Sequence, residues 1–455
     1  MTEQPAAGLS PQIRLLPGGE QRLMAGIGMV DPLNLANARQ HGAYTGLARA
    51  VEKLGPEGTI DEIGAAGLRG RGGGGYSTAD KWRAARAAAG ADGKVVVANL
   101  IGADPTALGD RALAEGDPHL LLEGVLIAAF ATGASDAIIA VRRDWTAAIE
   151  RLRLAVAEAD AAHLAGYLVL GTDFSCVVTV WDGAAALVAG EETALLAALA
   201  GDRGMPVIRP PYPSERGLRG VPTTVQNGET LAHAAWIARH GAQKFRAVGS
   251  KDAPGTKLVS IYGRVAQPGL AEVALGSPLS AVVELAGGGT GTTKAVFVGG
   301  PGGGAIADLG TAYNFEPLHA AGAGIGLGQF LVTDTETCMV DTARFFLDYS
   351  AREACGKAVP CRIGTKRLVE TLDRVLAATP RPNDLLLLRE LARKMTDTAL
   401  CHLEARAPGP MLTTLDRFPE EYRAHAERGE CLAGSCRTSS LPPLLAPLAG
   451  LEASG

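Results

Sequence analysis

Two apolar runs of buried-strand type, residues 94–99 (KVVVAN) and 136–141 (DAIIAV), are each followed by a helical stretch. This alternation constrains the fold more than any other feature. Strands that read as continuous apolar runs are covered on both faces, and neighbouring parallel strands need a crossover helix. The first helix begins at Asp117-Pro118, a cap followed by a first-turn proline, and Gly133 is placed to end it. The second runs from Trp145 to about Ala159. Residues 167–170 and 176–180 are expected as further strands, and helices are expected near Gly190 and over 227–240. The prolines of 209–213 (RPPYP) demand an extended segment. From Thr256 to about Gly304 short alternating strands surround a helix at 278–285, as in a ubiquitin-like β-grasp. Residues 334–425 read as helical. The fold class is α/β: a Rossmann-like parallel-sheet domain, then a β-grasp module, then a C-terminal helical bundle.

Between the helix expected at 57–67 and the one starting near Ser77 or Thr78 lies a loop too rich in glycine for either helix or strand. Gly70, Gly72, Gly73, Gly74 and Gly75 surround Arg71 and lead into a capped helix N-terminus. Without β-carbons, consecutive backbone N–H groups can face one anion, and the helix dipole adds to the attraction. Arg69, Arg71 and Lys81 supply counter-charge. The pattern is neither a P-loop nor a GxGxxG turn after a strand, and a plain flexible loop is the competing reading. Flanking cations and the capped helix favour a phosphate cradle. Glu191 and Glu192 open another helix. Carboxylates there are favourable with the dipole by ~0.3–1 kcal/mol, so by themselves they read first as a solvated, capped turn.

The formal net charge of −5 argues against a general nucleic-acid binder. The N-terminus has no basic segment followed by an apolar core. The most apolar run is interrupted by Glu123 and too short to span a bilayer, so no direct membrane insertion is expected. A cytoplasmic location follows, with a larger complex as the means of any membrane association. Seven cysteines, mostly late in the chain, suggest metal ligands or buried thiols before disulfides.

The segments GLRGRGGGGYSTADKW, DPHLLLEGVLIAAFATGAS, GEETALL, RPPYP, GLRGVPTTVQNGET and ACGKAVPCR occur in this order. Through them the chain resembles, from Tyr44 to His425, the NADH-oxidising FMN flavoprotein subunit of respiratory complex I. That module also occurs in NAD-linked hydrogenases and formate dehydrogenases. The resemblance implies an N-terminal extension (1–42), an FMN/NAD-binding domain (43–245), an SLBB-like β-grasp (246–333), an iron–sulfur-type helical domain (334–428) and a flexible tail (429–455). By position, Gly70, Arg71, Gly72, Lys81, Asn99 and Asn227 would touch FMN. Tyr76 stands near the nicotinamide-nucleotide site, where a ring could stack an adenine, against the alternative of a partly buried core tyrosine. Asp104, Glu191 and Glu192 would line the pocket for NAD(H), the substrate.

Several positions depart from the family pattern. NADEGEP is replaced by Asn99-Leu100-Ile101-Gly102-Ala103-Asp104-Pro105, which removes negative charge beside the flavin. Leu187 and Ala189 stand where YICGEE has tyrosine and cysteine, and Gln226 replaces an asparagine. Cys355, Cys361 and Cys401 match three ligands of a 4Fe-4S cluster, but Ala358 replaces the fourth. A cluster with an open or borrowed corner, a three-iron cluster and no cluster all stay open. Cys431, Cys436 and His402 are the donors that could be borrowed; Cys176 and Cys338 read as core thiols, and Cys431 with Cys436 also reads as an exposed redox pair.

The resemblance thus implies an FMN-dependent electron-input subunit. It would take hydride from NADH or NADPH and pass single electrons to iron–sulfur partners, including a thioredoxin-like 2Fe-2S subunit. The alternatives are a flavin relay fed by ferredoxin or another donor, and a non-catalytic scaffold.

Overall fold

The computed structural model describes residues 9–89, 93–183 and 185–436. Parts of the expected N-terminal extension and C-terminal tail therefore lie outside the described residues. The chain forms two compact units: one runs to Val259 and includes Leu270–Gly276, and the other comprises Ser260–Gly269 and the chain from Ser277.

In the first unit α1 (Leu35–Gln40), α2 (Thr45–Arg49), a π-turn (Ala50–Leu54), α3 (Gly55–Ala66) and α4 (Thr78–Ala87) precede the sheet. Then come β1 (Val95–Leu100), α5 (Gly109–Gly116), α6 (Pro118–Thr132), β2 (Asp136–Arg142), α7 (Thr146–Ala161) and β3 (Val177–Gly183). The unit continues with α8 (Glu192–Ala200), β4 (Thr223–Asn227), α9 (Gly228–His240) and α10 (Ala242–Arg246). The sheet order is β3-β2-β1-β4, with every pairing parallel, as the strand–helix alternation requires. Asp117 caps α6 by accepting from the N–H of Leu120, Pro118 follows, and Gly133 closes the helix in the left-handed region. Almost every residue of α6 is buried. A β-carbon on Gly124 would stand 2.1 Å from the carbonyl oxygen of Leu231, so only glycine lets α6 lie this close to α9.

One expected strand is absent. At 167–170 Leu168 and Leu170 have φ of 50° and 54°, and Val169–Gly171 forms a 3-10 turn. Its apolar letters mark a turn with Val169 tucked in and Tyr167 and Leu168 exposed, rather than a buried run. The sheet instead gains β4, for which the sequence raised no expectation.

A mixed sheet follows, and then the helices of the second unit. β5 (Thr256–Gly263) enters that unit at Ser260, and β6 (Gly269–Ala274) is assigned to the first from Leu270 on. The second unit continues with α11 (Leu279–Leu285), β7 (Thr293–Val298), β8 (Gly304–Ile306), α12 (Phe315–Ala320) and β9 (Gln329–Asp334). β9 runs parallel to Ser260–Gly263 and antiparallel to β7, which pairs antiparallel with β8. This mixed sheet and its helix agree with the β-grasp expected. The helices are α13 (Met339–Arg352), α14 (Val359–Leu376), α15 (Asp384–Asp397), α16 (His402–Arg406), α17 (Gly409–Arg417) and α18 (Pro419–Arg423). Val340, Leu347, Leu368, Leu388 and Met395 form their shared core. Each such side chain contributes ~1.5–3 kcal/mol by leaving water. Among the described residues no helix is long and apolar enough to cross a membrane.

Candidate functional site

The register of the parallel sheet sets Asn99 of β1 directly beside Asn227 of β4, at the carboxyl ends of both strands. β1 is the strand from which the chain order departs in two directions, to β2 and to β4. In open α/β sheets, ligands settle in the crevice outside the strand ends at such a switch point. Asn227 caps α9, accepting from the N–H of Thr230, and its Nδ2 donates to Asp110 at 2.6 Å. Asn99 donates to the carbonyl of Gly190 and accepts from the N–H of Ile101.

The glycine loop closes on this same edge. Gly70 donates to the carbonyl of Tyr76, Thr78 donates to that of Leu68, and Ser77 caps α4. A β-carbon on Gly72 would lie 3.1 Å from that of Asn227, while one on Gly74 would meet nothing within 4 Å. The loop therefore touches the strand end at Gly72 and offers open space at Gly74. Arg71, expected at the flavin, is wholly buried, and its guanidinium donates to the carbonyls of Arg69, Pro254 and Thr256. Its backbone N–H meets the hydroxyl of Thr230. Arg71 thus fixes the loop in place.

Lys81 donates to Glu192 and to the carbonyl of Val225, both at 2.8 Å, which uses two of its three donors. Glu192 also accepts from Arg209 at 2.7 Å. Burial alone would push the Glu192 carboxyl up, but the two cations hold it below the usual range. Glu191 caps α8, accepting from the N–H groups of Thr193 and Ala194. For this residue the capping reading describes its bonds. Asp104 is buried and accepts from the N–H and hydroxyl of Thr106. Tyr76 is 65% exposed, so the reading of a partly buried core tyrosine is excluded.

The altered positions are filled with packing. Ile101 and Ala189 join Val97, Leu195, Leu218 and Val225 in one apolar cluster. Gly102 has φ of +53°, and a β-carbon there would stand 2.3 Å from the ring of Trp145. Arg142 donates to the Gly102 carbonyl.

Sequence reasoning missed three polar residues behind the cradle. Asp110 accepts from Asn227 and from the N–H of Glu229. Burial, reinforced by the charge of Glu229, raises its carboxyl to about 7. Glu229 pairs with Lys257, both buried, and accepts from the N–H of Leu258. The signals were present as a charge beside the Asn227 cap and a lysine opening an apolar strand, but nothing in the sequence pairs them.

In the second unit Cys361 sits in the first turn of α14, and Cys401 precedes α16. Burial pushes the Cys361 thiol up to about 12, and the charges of Glu404, Cys401 and Cys355 add to it, so the other two expected ligands each lie within electrostatic reach of Cys361. Ala358 caps α14 without a side-chain bond. Three thiols fit three corners of a 4Fe-4S cluster, whereas the Ala358 methyl offers no ligand for the fourth. Cys431 and Cys436, considered as borrowed donors, gather instead with Cys338 and His425.

Residues 63–236 match the Nuo51 FMN-binding domain, and residues 341–425 match the NADH-ubiquinone oxidoreductase-F iron–sulfur binding region. The chain is similar to the NADP-reducing hydrogenase subunit HndC of Solidesulfovibrio fructosivorans: 40% identity over 414 residues, spanning 90% of this chain and 84% of the relative. It is likewise similar to the NADH-quinone oxidoreductase F 2 subunit of Rhizobium meliloti: 35% identity, spanning 90% of this chain and 99% of the relative. Among solved structures, the NAD+-reducing [NiFe]-hydrogenase in the H2-reduced state superposes with a TM-score of 0.80 at 30% identity, covering 97% of this chain and 72% of that one.

Proposed function

The chain belongs to the family of FMN-binding flavoprotein subunits of NADH-quinone oxidoreductases and related hydrogenases, and on that premise we infer that it is the electron-input subunit of such an assembly. The carrying observation is the convergence of the glycine loop, Lys81 and the Asn99–Asn227 strand ends on one edge of the parallel sheet. These residues fit a flavin phosphate: a loop without β-carbons, a helix N-terminus and a cation with a donor to spare. FMN supplies the chemistry, since it accepts a hydride as an electron pair and releases electrons singly.

The protein's own task is alignment. Gly70, Gly72 and Lys81 hold the phosphate end, with Arg71 keeping the loop closed from behind. Asn99 and Asn227 border the flavin. Tyr76 offers its exposed ring to the nicotinamide nucleotide, and Glu192, oriented by Lys81 and Arg209, accepts from ribose hydroxyls. Glu191 and Asp104 support this pocket through the turns they tie. Cys355, Cys361 and Cys401 would hold an iron–sulfur cluster at three of its corners. Partner subunits carrying iron–sulfur clusters, a thioredoxin-like 2Fe-2S protein among them, would take the electrons onward in the cytoplasm.

An anaerobic absorption spectrum, recorded with FMN and iron assayed on one sample, tests this reading. Bound flavin that bleaches on addition of NADH or NADPH is the expected result. Flavin reduced only by ferredoxin would replace the nicotinamide donor, as the packed Ile101–Trp145 region favours. Protein that binds no FMN after reconstitution would refute the assignment.

A further inference from the structure

We propose that Cys338, His425, Cys431 and Cys436 form a closed tetrahedral site for a single zinc ion, distinct from the Cys355, Cys361 and Cys401 set. Their four donor atoms all lie within 4.8 Å of one another. Nε2 of His425 is 3.4 Å from the sulfur of Cys338 and 3.4 Å from that of Cys436. Tetrahedral zinc, with Zn–S near 2.3 Å and Zn–N near 2.0–2.1 Å, separates adjacent donors by roughly 3.5–3.8 Å. The four side chains are thus spaced for one ion. A cubane cluster places each thiolate on a different iron and needs them spread wider.

The backbone is shaped for this gathering. Cys338 is the N-cap of α13, and His425 lies in the π-turn Ala424–Arg428 that follows α18. Gly429, with φ of +66°, reverses the chain, and the N–H of Glu430 returns to the carbonyl of Ala424. Gly434, also at +66°, turns it again, with its N–H donating to the carbonyl of Cys431. This second turn brings Cys431 and Cys436 to bear on the same point, as the turn of a zinc knuckle does. Cys338 and His425 are buried, and Cys431 and Cys436 pack half-buried against the helical core. None of the cysteines is in a disulfide.

Three thiolates and a neutral imidazole fill the coordination sphere, which marks a structural rather than a catalytic site. Binding releases three thiol protons to solvent and changes no oxidation state. The matched iron–sulfur region spans 341–425, so Cys338, Cys431 and Cys436 fall outside it. Zinc here would pin residues 429–436 to the start of α13, independently of whether flavin or an iron cluster is bound.

The test is elemental analysis of the full-length chain, purified anaerobically without chelator. About one zinc ion per chain is expected. It should survive the double change Cys355→Ser, Cys361→Ser and disappear with Cys431→Ser, Cys436→Ser. Far-UV circular dichroism and gel filtration are to check that the latter variant remains folded. His425→Cys should keep zinc, because a four-thiolate set also suits it, and this outcome separates ligation from general damage. Cobalt loading should give the intense visible bands of a tetrahedral thiolate site, lost in the Cys431, Cys436 variant. Absence of zinc, zinc indifferent to Cys431 and Cys436, iron in its place, or a Cys431–Cys436 disulfide in the anaerobic protein would each overturn the proposal.

Discussion

Gly102→Ala tests whether the pocket has been closed by packing. Gly102 has φ of +53°, a conformation that costs an L-residue ~1–2 kcal/mol. The added methyl would stand 2.3 Å from the Trp145 ring, and overpacking of a filled site costs ~1–3 kcal/mol. The sum is roughly 2–5 kcal/mol, which for a unit of this size lowers Tm by about 4–20 °C. All four tryptophans (Trp82, Trp145, Trp181 and Trp236) lie in the first unit, so their fluorescence follows its melting separately from that of the second. Trp145→Ala alone should cost ~3–5 kcal/mol through the cavity it leaves. In the double variant the clash is gone while the backbone strain stays, so the pair should be less destabilised than the sum by ~1–3 kcal/mol. A melting point within about 1 °C of the parent for Gly102→Ala, or strict additivity with Trp145→Ala, would refute the packing account.

Lys81→Ala should weaken FMN binding by roughly 10- to 150-fold, the value of a lost charged hydrogen bond of ~1.5–3 kcal/mol. Flavin released on denaturation measures it, and unchanged occupancy would remove Lys81 from the cradle. Asp110, raised from 3.8 to about 7 in the fold, binds its proton more tightly folded than unfolded. The resulting stability is complete below about pH 4 and is lost as pH rises toward 7, on the order of 4 kcal/mol. Urea midpoints across that range should fall less steeply in Asp110→Asn; an identical slope would assign the effect elsewhere. Ala358→Cys should increase iron per chain after anaerobic reconstitution, and unchanged iron would mean that the loop before α14 is closed.

The sheet and the cradle loop were legible because their signals are local. A buried apolar run, an Asp-Pro helix start and a glycine cluster each state their conformation within a few residues. The strand expected at 167–170 failed for the same reason: Leu168 and Leu170 are apolar, and only tertiary packing decides that they turn. Arg71 was legible as a cation but not as a clamp, since its partners at 254 and 256 are far along the chain. The gathering of Cys338, almost ninety residues upstream, with His425 was invisible on similar grounds. His425 carried no motif, and Cys431-x4-Cys436 without it is too sparse to state a site.

The distribution of polar and apolar groups separates two halves of the sheet edge that carries the candidate site. On the cradle side, three buried ionisable groups have partners: Arg71 in three carbonyls, Glu229 in Lys257, Asp110 in Asn227. Such networks are costly when incomplete, so a chain that merely kept an inherited shape would be expected to simplify them. On the other side, the positions that the resemblance sets against acids of the family are packed. Ile101 lies in an apolar cluster, Gly102 lies under Trp145, and a β-carbon on Gly190 would meet that of Ala103 at 2.5 Å. Random loss of those acids would have left cavities or stranded partners. Close packing points instead to compensated change: on the proposed reading, the phosphate cradle was retained while charge beside the flavin was exchanged for a drier wall. Functional change is therefore to be sought in the donor and in the flavin's potential, not in whether flavin is held.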